Sequence, residues 1–277
     1  MILISGCTGF VGQELLRLFK KERISFKKIK TRDIKNKKNI FFKDVSVFIH
    51  LGFNFYRKTK KIKSDKNLQI IKKIIKHAQN YKFKLIFPST ASYKYFGKKK
   101  KISKNIYPFD HYAQSKINCE KLLIESSKKK NIDTTILRTF NIYGKDQKKG
   151  WLIPDLINKF IDKSSKNIEL KYYSNSRDFI HVKDVAEAIS RSINLKGLNI
   201  LNIGTSIETK ILTVAQIISK EIRSNKKIIL LESKSKKNYM SKADIRQTIK
   251  KLKWKPKIKI NNGLKKIINE KIQKYKN

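Results

Sequence analysis

The chain has 277 residues, 39% of them apolar, which suits one large α/β core or two interlocked lobes and excludes a disordered chain. No apolar run approaches a membrane span, "MILISG" is too short for a signal peptide, and two cysteines, Cys7 and Cys119, fit a reduced cytoplasm rather than a disulfide framework. The formal net charge of +46 raises nucleic acid as a partner that the rest of the sequence must support or set aside.

In chain order, "MILISG" reads as a buried strand, and "GFVGQELLRLFKKE" follows as a helix with Val11, Leu15, Leu18 and Phe19 on its apolar stripe. "VSVFIHLG" is another buried strand. "SDKNLQIIKKIIKHAQ" predicts a helix capped by Ser64, with Leu68, Ile71, Ile74, Ile75 and Ala78 at helical spacing. "FKLIFPST" is a strand ended by Pro88, and "PFDHYAQSKINCEKLLIESS" is a helix with Ile117, Leu122 and Leu123 among its apolar positions. "DTTILRTFNIYG" is a β-branched strand and its exit. Beyond Gly144 come a helix after Pro154, a short strand in "RDFIHV" with a helix from near Asp184, the strand "NILNIG", a helix capped by Thr213, and a final helix from about Gly263. Strands alternating with helices imply a doubly wound parallel sheet covered on both faces. We place that sheet in 1–144, completed by parts of 177–204, with 145–277 as mainly a smaller substrate-binding lobe.

Gly6, Gly9 and Gly12 form G-x-x-G-x-x-G between the first strand and the first helix. Such glycines let the backbone turn tightly and approach a pyrophosphate at the helix N-terminus, so the segment reads as a Rossmann-type dinucleotide loop. Cys7 is a small filler in that loop rather than a nucleophile. After the second strand, "KIKTRDI" offers Arg32, which suits a 2′-phosphate or is a solvated loop charge, and then Asp33. Tyr112 and Lys116 stand one helical turn apart, but Tyr56–Lys60 and Tyr95–Lys99 repeat the spacing, and about two such matches are expected by chance in so lysine-rich a chain. Context singles out Tyr112: it follows the "PST" strand end and precedes "LRTFNIYG".

Together these segments resemble the extended short-chain dehydrogenases, specifically the NAD-dependent epimerase/dehydratase family of nucleotide-sugar enzymes. "GCTGFVG" matches the family's cofactor loop, "VFIHLG" its fourth-strand segment, "FPSTAS" the segment of the catalytic Ser/Thr, and "YAQSK" its Tyr-x-x-x-Lys element. "LRTFNIYG", "RDFIHVKDVAEAI", "LNIGTS" and "KLKWKP" continue the likeness in order to the C-terminus. The resemblance implies NAD or NADP held by Gly6, Thr8, Gly9, Phe10, Val11, Gly12, Arg32, Leu51, Tyr112 and Lys116. It implies Tyr112 as acid/base, Lys116 as the cation that favours its phenolate and holds the nicotinamide ribose, and Thr90 as hydrogen-bond partner of the reacting oxygen. Thr90, Asn141 and Arg177 would contact a nucleotide-diphosphate sugar, although Arg177 could instead pair with Asp178. The implied activity is a nucleotide-sugar epimerase or 4-ketoreductase, in a cytoplasmic homodimer joined by the helices of Leu68–Ala78 and Tyr112–Leu123. A non-catalytic NAD(P)-binding regulator is the alternative, which the intact Thr90, Tyr112 and Lys116 oppose.

Three departures from the family pattern stand out. The stretch between "KTRDI" and "DVSVFIH" is short by a strand and a helix, which removes the acid expected near the adenine; Asp44 abuts the next strand instead. Ala91 and Ser92 replace the Asp-Glu pair of the dehydratases, disfavouring dehydration. Near "KSKKNYMSKAD", Lys234 or Lys236 could supply the charge of an absent substrate-clamping Arg, without its bidentate geometry. His50, His111 and His181 read as structural residues, and no His/Cys/Asp cluster has metal-ligand spacing. The charge itself reads as compositional: Lys, Ile and Asn all have A/T-rich codons, and the lysine runs "FGKKKK" and "SSKKKN" lie between apolar segments with few aromatics among them. A positive field drawing in anionic small molecules fits better than a dedicated nucleic-acid surface.

Overall fold

The chain is described from a computed structural model over residues 1–36, 42–54, 65–91, 93–95, 106–108, 111–231 and 242–276. The elements of its first half are β1 (Ile2–Ser5), α1 (Phe10–Lys21), β2 (Phe26–Ile29), α2 (Asp33–Asn36), β3 (Val47–His50), α3 (Lys66–Tyr81), β4 (Lys84–Thr90), β5 (Tyr93–Tyr95), β6 (Ile106–Pro108), α4 (His111–Lys130) and β7 (Thr134–Thr139). Then follow β8 (Asn141–Tyr143), α5 (Leu152–Ile161), β9 (Asn167–Lys171), β10 (Ser176–His181), α6 (Val182–Arg191), β11 (Leu198–Ile203), β12 (Glu208–Lys210), α7 (Ile211–Ile222), β13 (Lys227–Leu231), α8 (Arg246–Leu252) and α9 (Ile260–Lys276).

Two compact units result. The first comprises Met1–Thr139, Ala186–Asn202 and Lys250–Trp254; the second comprises Phe140–Val185, Ile203–Ile249 and Lys255–Asn277. The first unit holds a six-stranded parallel sheet in the order β11-β7-β4-β3-β1-β2. Every residue of β3 and of β7 is buried, as a strand covered by helices on both faces requires. The apolar stripe of α3 (Ile70, Ile71, Ile74, Ile75, Ala78) packs into this core with Cys119 and Leu123 of α4. The sheet stops at β2, whose Lys27 and Lys28 are exposed. Phe42 closes the core beyond the short α2, stacked on His77 at 4.0 Å and on Phe83 at 5.8 Å between ring centroids. In the second unit, α5, α7 and α9 share a core that includes Ile157, Phe160, Val214, Ile218, Leu264 and Ile268.

Several sequence expectations shift. Pro88 does not end its strand. The β3–β4 ladder covers only Lys84–Ile86, so by Pro88 the strand pairs with β7 alone and a missing N–H is tolerated there. Pro154 is inside α5, in the first turn, where amides have no intrahelical acceptor. Asp65 caps α3, its carboxylate accepting from the Asn67 and Leu68 amides, while Ser64 lies outside the described residues. Lys210, not Thr213, occupies the N-cap of α7. Gly263 does not start the last helix but lies within α9, where a Cβ would stand 2.2 Å from the Tyr143 hydroxyl oxygen.

Candidate active site

The glycine loop is built by close approach. Gly6 has φ +75°, and a Cβ there would lie 2.3 Å from the Gly52 amide nitrogen and 2.4 Å from the Leu51 carbonyl carbon. A Cβ on Gly12 would lie 2.3 Å from the Gly6 carbonyl oxygen. Any side chain at either position would force the loop off the ends of β1 and β3. The N-cap of α1 is Gly9, which offers no side-chain acceptor, and the first turn holds no acid. The amides of Phe10, Val11 and Gly12 therefore point their donors and the helix dipole at the loop, an arrangement suited to a phosphate. Thr8 and Gly9 are exposed on the loop, and Leu51 ties back through its amide to the Ser5 carbonyl at 3.0 Å. These donors and this clearance fit the pyrophosphate of a dinucleotide. Arg32 is exposed just past β2, its Nε 3.9 Å from the Asp33 carboxylate. The Cys7 thiol donates to the Ile4 carbonyl and burial raises its pKa, which leaves it a filler.

Beside this loop, α4 carries Tyr112 and Lys116 on one face. The Lys116 ammonium is buried, donates to the Pro88 carbonyl at 2.6 Å, and lies over the rings of Phe53 (3.9 Å to the centroid) and Phe87 (4.3 Å). Its Nζ is 5.9 Å from the centroid of the Tyr112 ring, which itself packs edge-on against Phe53. Burial lowers the Lys116 pKa to about 7, with Cys119 and Glu120 opposing the shift. An ammonium held beside the ring favours a phenolate over the neutral phenol. Thr90 is buried as the last residue of β4, with Ala91 bonded to the Thr139 carbonyl at 2.9 Å. His50, at the end of β3, shares a 2.6 Å hydrogen bond with Ser5 Oγ through Nδ1. Burial, aided by the Lys116 charge, lowers its pKa to about 3, so it is neutral at any working pH.

What holds α4 in place is polar, and sequence reasoning missed it. Ser115 donates to Asp65 at 2.6 Å and accepts from Asn67 Nδ2 at 3.2 Å; Asn67 also exchanges hydrogen bonds with the Asn54 backbone. At the next turn the Arg138 guanidinium of β7 grips Glu120 at 2.7 and 3.1 Å, both side chains buried. Phe53, Phe87, Asn67, Ser115 and Glu120 thus shape the surroundings of Tyr112 and Lys116. A signal for Ser115 existed in its place between the two.

In the second unit, Asn141 donates from Nδ2 to the Asp178 carbonyl at 3.1 Å. The Asp178 carboxylate does not pair with Arg177. It accepts from the amides of Thr205, Ser206 and Ala243 and from the Thr205 hydroxyl, at 2.6–3.1 Å. Arg177 is half-buried, and desolvation alone lowers its pKa; among the described residues no carboxylate is within ion-pair distance of it. His181 accepts from the Lys183 amide through Nδ1 and is neutral, its pKa lowered to about 4 by burial. Lys60, Lys99, Ser92, Lys234, Lys236 and Tyr56 lie outside the described residues. Among the described residues, no group of His, Cys, Asp and Glu could hold a metal ion.

Residues 2–204 match the NAD dependent epimerase/dehydratase family. The chain belongs to that family. It is accordingly an enzyme of the epimerase/dehydratase type. Among relatives, a putative UDP-glucose 4-epimerase of Methanocaldococcus jannaschii is 29% identical over 97% of each chain. The UDP-N-acetylglucosamine 4-epimerase of Methanobrevibacter ruminantium M1, solved with UDP-N-acetylmuramic acid, superposes with a TM-score of 0.83 at 22% identity, over 99% of this chain and 98% of that one. RMD from Pseudomonas aeruginosa, solved with NADPH, gives 0.80 at 18% identity over 99% of both. At such identities the two structures show that this family member shares their fold.

Proposed function

We propose that the protein transfers hydride at a sugar carbon, C4, of a nucleotide-diphosphate sugar, with Tyr112 as acid/base. The observation that carries the reading is the buried Lys116 ammonium beside the Tyr112 ring, next to a glycine cradle shaped for pyrophosphate. A bound nicotinamide dinucleotide, NAD or NADP, supplies the hydride chemistry. Tyr112 takes the proton of the sugar hydroxyl as its carbon is oxidised and returns it on reduction, Lys116 steadies the phenolate, and Thr90 hydrogen-bonds the reacting oxygen. Arg177, unpaired with Asp178, presents a planar donor fork suited to the diphosphate, with Asn141 beside the same strand. The M. jannaschii relative supports a UDP-hexose and reduction of the keto sugar on its opposite face, which is epimerisation. Net reduction of a 4-keto sugar is the second reading. Residues 145–277 would supply most of the sugar site, and we infer a cytoplasmic homodimer joined through α3 and α4. No described helix is long and apolar enough to cross a membrane.

A screen of nucleotide sugars with NAD and NADP, read by absorbance and product stereochemistry, tests the assignment. On the sugar that turns over, Tyr112→Phe should lower kcat by ~10²-fold or more. Wild-type turnover by that variant would sink the mechanism.

A further inference from the structure

We infer that this site selects NADP(H) over NAD(H), with Lys28 and Arg32 as the residues that recognise the 2′-phosphate. The inference rests on the dinucleotide reading of the glycine cradle. A ribose diol presents two hydroxyl donors and calls for a carboxylate that accepts both, whereas a 2′-phosphate calls for charged donors. From Phe26 to Arg32 the chain reads "FKKIKTR", with four cations and no acid. The exit of this strand borders the cradle: a Cβ on Gly52 would lie 2.0 Å from Thr31 Oγ1, and Gly52 in turn abuts Gly6. A threonine hydroxyl at that border is neutral and has one oxygen, so it lacks the charge and the paired oxygens with which a carboxylate takes both hydroxyls. Lys28 pairs with Ile4 in the β1–β2 register, and its ammonium is close enough to Cys7, inside the loop, to stabilise that thiolate against burial.

β2 is also the edge of the sheet, so Lys28 projects from a strand that no further strand covers among the described residues. Positive charge and no acid therefore stand where the chain leaves β2 beside the cradle. The first acid, Asp33, begins α2, its amide bonded to the Lys30 carbonyl. Its carboxylate is 3.9 Å from Arg32 Nε, and the Arg32 side chain is 77% exposed. A pair this long and this wet is weak, so the Arg32 fork is available to a phosphate.

The test is calorimetric titration of the full-length protein with NADP⁺, NAD⁺, 2′,5′-ADP and 5′-AMP. Wild-type protein should bind NADP⁺ at least ~10-fold more tightly than NAD⁺, and 2′,5′-ADP more tightly than 5′-AMP by a similar factor. The Kd ratio should fall towards one in the Lys28→Ala/Arg32→Ala double variant. Lys129→Ala, which removes one positive charge at the end of α4, should leave the ratio as it is, excluding a general effect of net charge. Equal or tighter binding of NAD⁺ would overturn the inference while leaving the cofactor reading intact. So would loss of NAD⁺ affinity in Asp33→Asn, because the acid would then be holding a ribose diol. Failure of every dinucleotide and nucleotide to bind would overturn the cradle reading along with it.

Discussion

Lys116 shows how far one residue's role can be read from spacing. "YAQSK" places it a turn from Tyr112, but nothing local indicates that Phe53, just after β3, and Phe87, within β4, enclose its ammonium. That enclosure sets a conflict between stability and function. The folded pKa of about 7 lies below the ordinary lysine value, so between pH 7 and about 10.5 the unfolded chain binds a proton that the folded one does not. Stability therefore rises with pH across that window, and the full cost of burying the cation is present below pH 7. Lys116→Met removes the charge while keeping the bulk. It should abolish most turnover yet raise Tm by ~2 °C or more at pH 6, with the gain shrinking towards pH 9. Scanning calorimetry at the two pH values checks this; a Tm gain independent of pH would show that the ammonium is not desolvated.

At the scale of elements, the sequence foretells those that bury a continuous apolar face. β1, β3, β4, β7, α1, α3 and α4 all lie where their apolar runs and stripes put them. The short strands β5, β6, β9, β12 and β13 were not anticipated, because three to five residues seldom establish a period and β13 is largely exposed. The polar ties of α4 were equally illegible: Glu120 and Arg138 are 18 residues apart and each looks like a surface charge. Buried, they fix the turn of α4 that follows Lys116. Glu120→Gln should leave the Arg138 charge uncompensated and cost ~3–5 kcal/mol, whereas Glu120→Leu with Arg138→Met should recover most of that loss. Urea denaturation midpoints measure both. If the single variant unfolds at the wild-type midpoint, the pair does not anchor the helix.

For the whole molecule, the charge matters more to association than to fold. The order of segments was enough to anticipate the parallel sheet, since alternation of buried strands and amphipathic helices admits few topologies. The apolar stripes of α3 and α4 are used up inside the first unit, and what these helices turn to solvent is basic. Lys66, Lys72, Lys73 and Lys76 on α3 and Lys121, Lys128 and Lys129 on α4 are exposed, with Glu125 already bonded to Lys129 at 2.8 Å. A dimer joined through these helices must bring the two sets of lysines together in a chain of net charge +46. Repulsion between exposed charges decays over ~10 Å at 0.1 M salt and ~3 Å at 1 M, so added salt removes repulsion between the faces and should favour the dimer. Sedimentation velocity should accordingly find more monomer at 20 mM salt than at 500 mM, and Lys72→Glu/Lys76→Glu should restore association at low salt. A dimer whose affinity is unchanged between these salts, or weakens as salt is added, would place the interface on another surface.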